Sequence, residues 1–159
     1  MYKKVVLLAL VVILGVVNWS IYKKEQHLKN GKVVYLELRP ADPRSLMQGD
    51  YMALRYRLEN KILRTIEDKK IYDGYIVITL DDKKVAHFKR LYDGGLASGE
   101  VKIRYRYRSY RVKFGTNSYF FKEGTAKKYQ HAKYGKFVVD KDGELLLVGL
   151  ADENVTDIK

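Results

Sequence analysis

Gly49-Asp50-Tyr51-Met52-Ala53-Leu54-Arg55-Tyr56 decides how this chain folds, and Arg39-Pro40-Ala41-Asp42-Pro43-Arg44-Ser45-Leu46-Met47-Gln48 leads into it. Pro40 and Pro43 fix φ and remove two backbone donors, so the approach is neither a helix interior nor a central strand. Gly49 tolerates backbone conformations that other residues resist. Asp50 can hydrogen-bond nearby amides, so the pair reads as a turn. Beyond it, Met52, Leu54, Tyr56 and Leu58 share one face of a strand expected over residues 49–59. Tyr51, Ala53, Arg55 and Arg57 share the other.

Outward from this stretch, the chain reads as sheet. Strands are expected over residues 32–39, 75–80, 84–92, 100–113, 136–139 and 144–150, with hairpin turns at Asp81-Asp82 and Asp142-Gly143. Residues 60–70 read as loop with a helical turn, and a short helix is expected from Glu123 or Thr125 to about Lys133. The apolar run Leu145, Leu147, Val148 suggests a central, buried last strand, followed by a frayed tail from Ala151. The fold class is therefore mainly β: an antiparallel β-sandwich or partly open barrel with one or two short helices.

The other end is a membrane segment. Val5–Tyr22 holds eighteen residues without a charge. As a helix it spans roughly 27 Å, close to the hydrocarbon thickness of a bilayer. Trp19 and Tyr22 mark its distal interface. Val17-Asn18-Trp19-Ser20 is a poor cleavage site, which favours an uncleaved anchor over a signal peptide. The short Met1-Tyr2-Lys3-Lys4 head places the N-terminus in the cytoplasm and the remainder outside it. The chain divides into an anchor (1–22), a polar stalk (23–31), a β domain (32–152) and a tail (153–159).

The octapeptide carries all five fixed letters of a known signature: Gly49, Asp50, Tyr51, Leu54 and Tyr56. With Asp42-Pro43-Arg44-Ser45-Leu46, Glu123-Gly124 and Asp142-Gly143-Glu144-Leu145-Leu146, it resembles the GDYXXLXY family of bacterial membrane-anchored proteins, over roughly Val33 to Asp152. That family has no established activity. Its members often accompany polytopic membrane proteins, so the resemblance implies a partner of that kind, and the inner membrane as the site.

The 159 residues include no cysteine, which excludes disulfides and thiolate chemistry. The formal net charge is +12. Lys3, Lys4, Lys23, Lys24 and Lys29 outnumber Glu25 by four, which leaves +8 on residues 31–159 and favours an acidic partner such as anionic lipid, polyanionic glycan or nucleic acid. His27, His87 and His131 lack metal-ligand spacing, and no cofactor is expected.

Two constellations remain. Asp42, Arg44, Gly49, Asp50, Tyr51 and Tyr56 form a candidate contact corner, and the aspartates more readily cap turn amides than act as acid and base. From Lys102 to Lys113, Arg104, Arg106 and Arg108 alternate with Val101, Ile103, Tyr105 and Tyr107. Arginine suits phosphate. Nucleic acid needs stacking rings and cations on one face, and strict alternation separates them. The leading reading is a non-enzymatic binding or assembly module, accessory to an envelope membrane protein. The alternative is an envelope hydrolase using Asp42, Asp50 or Ser45, although no lysine base for Ser45 stands out.

Overall fold

The computed structural model describes residues 2–39, 51–66 and 72–158. Its first element, α1 (Tyr2–Asn30), is one unbroken helix of 29 residues. It is the one helix among the described residues long and apolar enough to cross a membrane. The polar residues 23–30 continue it for about 12 Å beyond the apolar run. Its end is fastened to the domain: His27 Nε2–H donates to the Val138 carbonyl at 2.8 Å, and Nδ1 lies 3.5 Å from Asp140. A Cβ at Gly31 would meet Val138 Cγ1 at 2.2 Å, so only glycine allows so close an approach.

Among the described residues, the β domain holds three antiparallel sheets. β1 (Lys32–Glu37), β8 (Tyr134–Val139) and β9 (Leu145–Ala151) form one, in the order β1-β8-β9. A second has β3 (Asp73–Leu80), β4 (Ala86–Leu91), β5 (Glu100–Arg108) and β6 (Arg111–Lys113), in the order β4-β3-β5-β6. The third is a ribbon of β2 (Tyr51–Ala53) and β7 (Ser118–Phe120). Single hydrogen bonds sew the sheets together: Tyr35 N–H to Lys84 O at 3.0 Å, Arg104 N–H to Gly143 O at 2.8 Å, and, from the chain just past β2 to β1, Arg57 N–H to Glu37 O at 2.9 Å. The result is a curled antiparallel half-barrel behind an apolar helix, in the expected class.

One core fills the curl, with Val34, Leu36, Ile76, Ile78, Ile103, Tyr105, Phe114, Phe137 and Leu150 buried in it. Tyr56 sits at its centre. Its ring meets Phe114 and Phe137 edge-on, each at 5.7 Å between centroids. Its hydroxyl donates to Thr116 O at 3.1 Å.

Several sequence expectations need correction. Of the strand expected over 49–59, the described residues from Tyr51 onward pair regularly only over Tyr51–Ala53, yet Met52, Leu54, Tyr56 and Leu58 are all buried as the alternation required. The expected loop after it is a helix, α2 (Leu58–Ile66), which buries Leu58, Ile62 and Ile66 at four-residue intervals. Glu59 starts that helix: its carboxylate accepts the Tyr56 amide at 2.8 Å, while its own amide donates to Tyr56 O at 3.2 Å. This is the backbone half of a capping box.

The long strand over 100–113 folds back at Ser109-Tyr110, whose φ angles of 52° and 59° make a two-residue hairpin of the primed kind. The helix expected near 123–133 shrinks to one 3-10 turn, Ala126–Tyr129. β9 is an edge strand, and β8 is the central one. The tail covers part of that edge instead of fraying. Asp152 accepts the Asn154 and Thr156 amides, Ile158 N–H reaches Leu150 O, and Lys136 pairs with Asp157.

Two substitutions test the role of Tyr56. Tyr56→Phe leaves the Thr116 carbonyl without its donor and should cost about 1–2 kcal/mol. Tyr56→Ala opens a core cavity and should cost about 3–5 kcal/mol. Urea unfolding of the full-length protein in detergent, followed by near-UV circular dichroism, checks both values.

Candidate functional site

The motif divides between core and surface. Leu54 and Tyr56 are buried. Tyr56, a candidate contact residue from the sequence, therefore offers no surface. Tyr51 is half-buried, and its ring lies 5.7 Å from Phe120, its partner in the β2–β7 register. Phe120 is 73% exposed, so the outer side of this ribbon is an aromatic pair open to solvent. Asp42, Arg44, Gly49 and Asp50 lie outside the described residues, as does Ser45.

Beside the ribbon is a cavity of about 540 Å³. Its described lining includes Arg39, Arg55, Arg57 and Lys133 together with Glu37, Asp152 and Glu153. Arg57 and Glu37 form an ion pair at 3.3 Å across exposed side chains, which contributes little. His131 also lines this space, brought there by the segment after the 3-10 turn. Nothing in the local sequence pattern signals that residues 129–133 and 152–154 meet the motif strand. The approach depends on Lys133 N–H bonding Ala151 O and Leu38 N–H bonding Lys133 O, contacts between distant parts of the chain.

Glu59 borders this region from inside and is the buried charged residue of the core, 4% exposed. Burial pushes its carboxyl above the usual range, against the opposing pull of the Tyr56 amide and of Arg39, Arg55 and Arg111. Burial, and next the Glu59 charge, also raises the Tyr56 phenol, which stays protonated.

The second constellation lies on the outer face of β5. Val101, Ile103 and Tyr105 point into the core, and the cations point outward, as the alternation predicts. Asp73 accepts both guanidinium nitrogens of Arg108 at 2.8 and 2.9 Å, and this bonding holds its carboxyl below the usual range. Arg104 pairs with Glu144. Lys102 Nζ sits 4.8 Å from the Tyr75 ring centre and 5.4 Å from that of Tyr92. Arg106 stands opposite Lys113, and Arg108 opposite Arg111. A groove of about 340 Å³ runs between Arg104, Arg106 and Lys113 on one side and Glu144–Leu147 on the other.

The three histidines serve separate places: His27 at Val138, His87 at 3.1 Å from Asp81, and His131 at the cavity. Among the described residues no group of three histidine or acidic side chains is placed to hold a metal.

This chain belongs to the GDYXXLXY protein family, whose model matches residues 13–150. No curated protein and no solved structure matches it significantly.

The electrostatics of Glu59 make a pH prediction. Because its pKa is raised on folding, the stability linked to its proton is fully present below the unfolded value of about 4.3 and is lost as pH rises through the folded value. Glu59→Gln keeps an acceptor for the Tyr56 amide without the charge. Over that window the wild type should lose stability relative to the variant, measured as unfolding midpoints at stepped pH. A constant difference would contradict the burial cost.

Proposed function

We propose that this protein is a membrane-anchored binding or assembly module on the extracytoplasmic side of the bacterial inner membrane, accessory to another envelope membrane protein. The observation that carries this reading is the placement of Tyr51. The fold consumes Leu54 and Tyr56 of the motif, while Tyr51 and its neighbour Phe120 leave aromatic surface beside a charged cavity. Rings of this kind anchor protein interfaces, because they bury large area at little entropic cost.

The connection to the membrane narrows the choice of partner. α1 enters β1 through Gly31 alone, and His27 ties its last turns to β8. A domain held this way has little reach, so its partner lies in the same membrane. The polytopic proteins that accompany relatives of this family meet that requirement. The hydrolase alternative rests on Asp42, Ser45 and Asp50, and no observation favours it.

Two measurements test the reading. The chain has no cysteine, so Leu96→Cys, in an exposed loop, creates a unique thiol. A membrane-impermeant maleimide should label it in intact cells with a permeabilised outer membrane. Labelling only after lysis would put the domain in the cytoplasm. Crosslinking of the full-length protein in cells should recover one recurrent membrane protein, and Tyr51→Ala should lose it while unfolding as the wild type does. Undiminished recovery with Tyr51→Ala would remove Tyr51 from the contact.

A further inference from the structure

The cationic face of β5 and β6 is arranged in a way that folding alone does not explain. Residues directly opposite in an antiparallel pair share one face at close range, and like charges there destabilise the sheet. Here two successive opposed pairs, Arg106↔Lys113 and Arg108↔Arg111, carry like charges. Asp73, opposite Arg106 in the β3–β5 register, gives its carboxylate to Arg108, and Glu144 answers Arg104. Among the described residues no carboxylate pairs with Arg106, Lys113 or Arg111. The groove lined by Arg104, Arg106, Lys113 and Glu144 thus carries two positive charges in excess.

Its shape and position matter as much as its charge. Gly115, with φ of 45°, packs where a Cβ would lie 2.5 Å from Leu145 O, so the chain after β6 crosses tightly over the start of β9 and closes one end of the groove. Leu145 pairs with Val139, and Val139 with Lys32, two residues past the end of α1. The groove's β9 wall therefore begins at the end of the domain where the apolar helix enters.

We propose that this groove is a binding site for a phosphate group, held between Arg106 and Lys113 with Arg104 at its edge. A guanidinium fork and an ammonium from two adjacent strands line one groove, and its positive excess suits a phosphate, whether a monoanionic diester or a dianion. A bound phosphate relieves the opposition of Arg106 and Lys113, so binding and sheet stability are linked. The site is on a different sheet from the Tyr51–Phe120 ribbon and stands or falls separately from that contact. Two sources supply this chemistry near an anchored domain: the headgroup of an anionic phospholipid, and soluble phosphate.

The test uses full-length protein in nanodiscs, with the unfolding temperature as the readout. In phosphatidylcholine discs, inorganic phosphate should raise that temperature saturably, and chloride at matched ionic strength should not. Lys113→Gln and Arg106→Gln should weaken the apparent affinity about tenfold or more, as loss of a charge-assisted contact requires. Without added anion, Lys113→Gln should be more stable than the wild type, because the opposed charges are gone. A rise confined to discs containing phosphatidylglycerol, and lost in the same variants, assigns the site to a lipid headgroup. No rise with either source, or equal rises in wild type and variants, would overturn the proposal.

Discussion

The structure depends on the burial of Tyr56. Its ring is held between Phe114, just past β6, and Phe137, in the middle of β8, so one side chain joins the two larger sheets. Its hydroxyl is satisfied by Thr116 O, and its backbone exchanges hydrogen bonds with Glu59 at the start of α2. The Leu38–Tyr56 bridge ties the same residue to the strand that follows the apolar helix. A phenol fits where phenylalanine would leave a buried carbonyl without a partner, and an unmet buried polar group is costly. Gly135 completes the arrangement, since a Cβ there would stand 3.0 Å from the Phe137 ring and 3.3 Å from that of Tyr56.

From this centre the division of labour follows. Residues pointing inward from the motif strand build the core, and those pointing outward are left for the surface. The same rule on β5 puts Tyr105 in the core and the arginines outside. Acidic partners are then distributed unevenly. At the far end of the second sheet, Glu100 takes both Lys89 and Arg90 and bonds the Ala97 amide, which brings its carboxyl down to about 2. Among the described residues, the β5–β6 hairpin has no equivalent ion pair for Arg106 or Lys113. Basic charge is compensated where it holds a loop and left in excess where a groove opens.

Much of this was legible in the sequence because period-two alternation is a local property. Met52, Leu54, Tyr56 and Leu58 bury as their spacing requires, even where the ladder has ended and a helix is starting. The misses have both local and non-local causes. Ser109-Tyr110 is not the Asn-Gly type of pair that signals a tight hairpin, so the β5–β6 reversal was invisible. With it went the register that sets Arg106 against Lys113. The stripe Leu58, Ile62, Ile66 of α2 is local too, but its first residues also fit the alternation of the preceding strand, and the Glu59 bond to the Tyr56 amide decides for the helix. β9 reads as central by composition, yet the returning tail and the crossing at Gly115 cover it. Of the site, Tyr51 and the arginine face could be found from the sequence. The cavity wall contributed by residues 129–133 and 152–154 could not.

Native-state hydrogen exchange at the Tyr56 amide tests the central claim most directly. That N–H is buried and donates to the Glu59 carboxylate, the joint on which the two sheets and α2 depend. It is expected to exchange only through global unfolding, with the same opening free energy as the amides of Ile103 and Phe137. Exchange through a much cheaper local opening would show that the domain holds together without this joint, and would contradict the role given to Tyr56.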